Sequence, residues 1–229
     1  MSDRKIAITI DEQLTRLQSR GMTISDIDHA RKVLLSVGYF RMGFYWYGFE
    51  IPKHRKNGIH KFRKDTTWEK VEALYDFDDR FRNLLSIFKL LRRTSARISP
   101  ISCPTITKQT LYGLLILHVR RRFFYSRYNV EEEDVFKSYI NTLRIIRNVC
   151  AHSHILYDKR LYDGIVGRHE LLGLKTGEEI SIVGILKLIY YMLRQIDSDK
   201  ETEMHNSLRS LVNQVEYDSV RFALSRLAF

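Results

Sequence analysis

The chain has 229 residues, enough for one large or two small domains, and 44% of them are hydrophobic, so a sizeable core can form. A charged fraction of 28% is near the globular average and excludes a disordered polyelectrolyte. The net charge of +11 and a pI near 9.6 favour a polyanionic partner: RNA, DNA, an anionic membrane surface or an acidic protein.

In chain order the pattern is helical nearly throughout. Residues 11–20 read as a helix opened by Asp11 and closed before Gly21. Ser25 opens a second, roughly 26–37, that ends at Gly38. The aromatic run GYFRMGFYWYGF (38–49) carries too many rings for a solvent loop and is expected to pack mainly into the core, with Arg41 among the rings. KHRKNGIHKFRK (53–64) follows, and its Asn57-Gly58 pair is a turn signal that admits a small β-hairpin. Thr66 and Glu69 have capping-box spacing for a helix of roughly thirty residues, about 45 Å at 1.5 Å per residue. Trp68, Val71, Leu74, Tyr75, Phe81, Leu84, Leu85, Phe88 and Leu91 form its apolar stripe, and Asp76, Asp78 and Asp79 read as surface carboxylates. Pro100 and Pro104 stop it. A third long element spans about 107–126, a fourth about 131–157, and ISIVGILKLIYYMLRQI makes a strongly apolar helix after a glycine-containing loop at 158–177. Helices near 200–213 and 217–227 finish an all-α bundle, divided into an extension over 1–64 and a bundle over 65–229.

Cys103 and Cys150 fit neither a disulfide framework nor a zinc site, and no convincing metal cluster is present. Phosphate-binding glycine loops, nucleophile elbows and dinucleotide fingerprints are absent, so no cofactor is expected. MSDRKIAITI lacks a signal-peptide core, and the longest apolar stretches fall short of a membrane span; these features predict a cytoplasmic protein outside the membrane.

The segment RIIRNVCAHSHILYDKR (144–160) holds the chemistry. At about 100° per residue, Arg144, Arg147, Asn148 and His152 share one polar sector of a helix, opposite Leu143, Ile145, Ile146, Val149 and Cys150. Asn148 and His152 are neighbours at i and i+4. Such a sector suits cleavage of RNA, whose 2′-OH is its own nucleophile. Histidine titrates in the range for proton transfer, arginine's planar fork matches phosphate oxygens, and asparagine can orient or donate. Spacing alone favours an ordinary solvated face, because polar helix faces are rich in such residues. Cys150 falls on the apolar arc and reads as a buried thiol, not a nucleophile.

RNVCAH resembles the Arg/His signature of HEPN domains, in which Arg is followed four to six residues later by His. LRIIRNVCAHSHILYD, GYFRMGFYWYGF, TTWEKVEALYDFDDRFRNLL and EISIVGILKLIYYMLRQI together resemble, in order, bacterial Abi-like proteins of the abortive-infection AbiD/AbiF type. The resemblance implies a HEPN-type helical bundle in phage defence, acting as a metal-independent endoribonuclease. Two facing motifs across a homodimer would form its site, with Arg147 on the phosphate, His152 in proton transfer and Asn148 in support. A regulatory RNA or a protein antitoxin is the further partner it suggests. Two departures stand beside it: SPISCPTITKQ (99–109) is a short connection where the family has a longer insert, and IFKLLRRTSAR carries Lys and Arg where an acidic residue is expected. The expected RNA surfaces interleave cations with aromatics: Lys53, Arg55, Lys56, Lys61, Arg63 and Lys64 in the first basic segment, Arg120, Arg121 and Arg122 in HVRRRFFYSRY, and Arg144 beside the motif. A non-cleaving RNA-binding module of the same fold, or a toxin-like subunit held by an acidic partner, is the alternative.

Overall fold

The computed structural model describes residues 8–52, 60–86, 128–130, 132–167 and 170–229. Among these residues there are eight α-helices and no strand, as the helical periodicity predicts. The chain divides into two compact units, residues 1–77 with 215–222 and residues 78–214 with 223–229.

In the first unit, α1 (Ile10–Ser19) is opened by Thr9 rather than Asp11. The Thr9 hydroxyl accepts the Glu12 N–H, and the Glu12 carboxylate accepts the Thr9 N–H at 2.6 Å, a complete capping box. The cap of α2 (Ile27–Val37) is Asp26, whose carboxylate takes the His29 N–H at 2.9 Å. The expected cap, Ser25, instead gives its N–H to Glu69 at 3.2 Å. Gly38, at φ +92°, ends α2 in a conformation that a side chain would resist. The aromatic run then forms α3 (Tyr39–Trp46) and a 3-10 turn, Tyr47–Phe49. Met42, Tyr45 and Trp46 are buried, but Phe40, Phe44 and Tyr47 are exposed, Phe40 at 88%. Core packing therefore accounts for only one face of this helix.

The Asn57-Gly58 turn lies outside the described residues. On its described flanks Glu50 and Phe62 pair as an isolated antiparallel bridge. The Ile51 N–H donates to Lys61 O at 2.8 Å and the Arg63 N–H to Phe49 O at 3.0 Å. Val215 and Val220, near the other end of the chain, are buried in this unit.

Helix α4 (Trp68–Ser86) is opened by Thr67, which accepts the Lys70 N–H at 3.3 Å, one residue later than the Thr66 box predicts. Trp68, Val71, Leu74, Phe77, Phe81 and Leu85 are buried along it. The boundary between the units falls within α4, between Phe77 and Asp78. The remainder of that predicted helix, the 99–109 connection and the 107–126 element lie outside the described residues.

The second unit contains α5 (Glu133–Ala151), α6 (Ile182–Arg194) and α7 (Ser198–Asn213). The last helix, α8 (Asp218–Leu224), contributes its end to it, together with the 3-10 turn Ser225–Leu227. Helix α6 is its core, with Ile185, Leu186, Leu188, Ile189 and Met192 fully buried, and it packs against α5, α7 and the final turn. No described helix is long and apolar enough to cross a membrane.

The start of α6 is tightly constrained. Ser181 accepts the Gly184 N–H at 3.3 Å, and a Cβ added to Gly184 would lie 2.1 Å from the Glu178 carbonyl oxygen. A backbone atom cannot yield as a side-chain tip can. Gly184→Ala is therefore expected to destabilise the protein by about 1–3 kcal/mol despite alanine's helix propensity, read as a lower urea midpoint.

Candidate functional site

Helix α5 carries the polar sector on one face. Ile146 and Val149 are buried, Arg144 and Arg147 are exposed, and Asn148 is half-buried. The helix stops at Ala151, well before the expected end near 157. His152 is its C-cap, with the His152 N–H donating to Asn148 O at 2.9 Å. Ser153 follows at φ +55°, in the left-handed region. The Ser153 N–H donates to Cys150 O at 3.2 Å and the His154 N–H to Val149 O at 2.8 Å. This is the paired bonding of a Schellman stop, with serine where glycine is usual. His152 and His154 emerge from that turn exposed, their ring centroids 6.0 Å apart and their planes tilted by 36°.

Among the described residues, the Arg147 guanidinium, the Asn148 amide and the imidazoles of His152 and His154 have no hydrogen-bond or ion-pair partner. Arg144 differs. It donates twice to Asn141 Oδ1, at 3.2 and 2.8 Å. The end of α5 therefore presents one unengaged cation, one amide and two imidazoles to solvent, a set able to take a phosphate and move protons.

What fixes the segment after the turn is a carboxylate that sequence reasoning assigned to the surface. Asp76 is exposed and Asp79 half-exposed, but Asp78 is 0% exposed. Its oxygens accept the Leu156 N–H at 3.1 and 3.2 Å and the Tyr157 N–H at 2.7 Å. Arg82, one turn on and itself buried, donates to Asp78, to Asp79 at 2.9 Å and to the His154 carbonyl at 3.4 Å. The spacing carried a signal that was missed: Asp78 stands four residues after Leu74 and three before Phe81, inside the apolar stripe, with an arginine at i+4. Ser153 gave no such signal, because no local sequence rule requires a left-handed serine there.

Burial pushes the Cys150 thiol up to about 11, with Arg82 opposing that rise and Asp78 adding to it. Burial likewise pushes the Tyr157 hydroxyl up to about 12, aided by the Asp158 and Asp78 carboxylates. Lys61, Arg63 and Lys64 are exposed in the first unit. Lys53, Arg55, Lys56, Arg120, Arg121 and Arg122 lie outside the described residues. Among the described residues no three His, Cys, Asp or Glu side chains are grouped to hold a metal.

Residues 32–94 match the family model of Abi-like proteins. This Abi-like span takes in α3, α4 and part of α2, and supports the family resemblance there; the 144–154 segment lies beyond it. No curated protein and no solved structure matches the chain significantly.

Breaking a buried ion pair by neutralising one partner leaves the other charge uncompensated, at a cost of about 3–5 kcal/mol. Asp78→Asn, at the distal part of the Abi-like span, is expected to lose stability of that order in urea titration and to shift the imidazole NMR signals of His152 and His154. Alkylation needs the thiolate. The rate at Cys150, followed by peptide mass mapping, should therefore keep climbing from pH 8 through 10, reach half its maximum near 11 and level only above that.

Proposed function

We propose that this chain is an endoribonuclease of the Abi-like HEPN type that works in the cytoplasm in anti-phage abortive infection. The observation that carries the reading is the end of α5, where Arg147, Asn148 and His152 have no hydrogen-bond or ion-pair partner among the described residues. The Abi-like match over 32–94 supports the biological setting.

In this mechanism the guanidinium of Arg147 binds the scissile phosphate and gains strength as charge builds on its oxygens. His152 acts in proton transfer, and Asn148 donates to the phosphate or orients the ring. The 2′-oxygen attacks phosphorus and the 5′-oxygen departs, leaving a 2′,3′-cyclic phosphate and a 5′-hydroxyl. One motif per chain makes a homodimer the working form, with two such helix ends facing one substrate. No step in this scheme requires a metal ion. Regulation by an RNA or a protein antitoxin fits a nuclease that harms its own cell.

A second reading, RNA binding without cleavage, is favoured by the exposed Lys61, Arg63 and Lys64, which would hold phosphates by counterion release regardless of chemistry. The two separate in one assay. Purified wild type should cleave RNA in EDTA to cyclic-phosphate ends and run as a dimer in light scattering, while Arg147→Ala and His152→Ala each lose at least about 100-fold in rate. RNA retained intact by all three proteins would leave the binding module.

A further inference from the structure

Cleavage by 2′-OH attack moves two protons, one off the 2′-oxygen and one onto the 5′-oxygen. The reading above names one group per chain for them, His152, so that without another both would have to come from the two chains of the dimer. We infer that His154 is the second proton-transfer residue, acting with His152 of the same chain on the same phosphate. The inference rests on the nuclease reading and deepens it.

The geometry begins with the helix stop. Left-handed Ser153 ends α5 so that the residues on either side of it, His152 and His154, both carry exposed rings. Alternation along an extended strand would also bring residues two apart to one side, but here the Schellman bonds fix the turn and the rings stay 6.0 Å apart. In an in-line displacement the attacking and leaving oxygens lie on opposite sides of phosphorus. Each must find its base or acid at about 2.6–3.2 Å. Two stacked imidazoles would leave no room for phosphorus and its oxygens between them; rings separated by 6.0 Å and tilted by 36° can reach both sides. Among the described residues both rings also lack hydrogen-bond partners, which leaves their nitrogens open to a substrate.

The backbone of His154 is fixed independently of its side chain. Its N–H donates to Val149 O, its carbonyl accepts from Arg82, and Asp78 fastens Leu156 and Tyr157 just beyond. The ring can therefore be removed without removing what anchors the segment. Proton balance is complete within the pair. One neutral imidazole takes the 2′-OH proton as the O2′–P bond forms. The other, as imidazolium, gives its proton to O5′ as the P–O5′ bond breaks. Arg147 stays on the non-bridging oxygens throughout.

The test compares wild type, His152→Ala, His154→Ala and His154→Gln on a dinucleotide with an ordinary 5′-oxygen leaving group and on its 5′-thio analogue. A thiolate leaves without protonation, so the analogue restores a variant that lacks the acid and cannot restore one that lacks the base. Both His154 variants should lose at least about 100-fold on the ordinary substrate with unchanged thermal midpoints, and the 5′-thio substrate should rescue one histidine position and not the other. Wild-type rates in His154→Ala, or rescue at both positions or neither, would overturn the inference. So would recovery of cleavage when His152→Ala and His154→Ala chains are co-expressed as mixed dimers, because that places the two groups on different chains. A wild type that leaves RNA intact defeats the nuclease reading itself, a result distinguishable from cleavage that ignores His154.

Discussion

A single buried carboxylate organises the second unit around the end of α5. Asp78 is fully buried against Arg82, and the desolvation of a carboxylate in such a place costs several kcal/mol unless its lone pairs are satisfied. Two backbone N–H groups from the 156–157 segment and the Arg82 guanidinium satisfy them. The dependence is mutual. Without Asp78, the buried Leu156 N–H and the half-buried Tyr157 N–H would lose this acceptor, and buried Arg82 would be left with the half-exposed Asp79 as a counter-charge. Burial also explains why this pair differs from the ion pairs on the surface of the same protein, such as Lys137 with Asp134, which solvent screens to about 0–1 kcal/mol.

Much of the fold could be read from periodicity. The apolar run that became α6 is hydrophobic almost all round, and its burial against α5 and α7 follows directly. Helix existence was legible, but caps were displaced by a residue or two. Thr9 outcompetes Asp11 because Glu12 can reach back to it, and Thr67 replaces Thr66 because the Thr66 hydroxyl donates to the Arg63 carbonyl. The candidate site was legible in residue type and not in shape. The 3.6-residue pattern of α5 continues smoothly past Ala151 in sequence, so nothing local announced a stop built from a left-handed serine and secured from α4. Asp78 was misplaced because charge was weighed over phase.

The electrostatic character of the α5 terminus follows from which arginines are already occupied. Arg82 is consumed by two carboxylates and a carbonyl, and Arg144 by Asn141, whereas Arg147 has no counter-charge among the described residues. A guanidinium left so is a poor contributor to stability and a good receptor for a planar or tetrahedral anion. The two imidazoles beside it are held apart by backbone geometry rather than by each other.

The way the chain is shared between the two units has a consequence for biogenesis. Residues 215–222 belong to the first unit and 223–229 to the second, where Leu224 and Leu227 are buried and Phe229 lies against Tyr190. Domains made of one continuous segment can fold as they leave the ribosome, the N-terminal one first. Here neither unit holds all its buried residues until the last stretch of this chain has emerged from the exit tunnel. The end of α5 is translated long before that, so the unit that carries it is completed only when residues 223–229 have followed, and a messenger cut short upstream of residue 215 yields no complete copy of either unit.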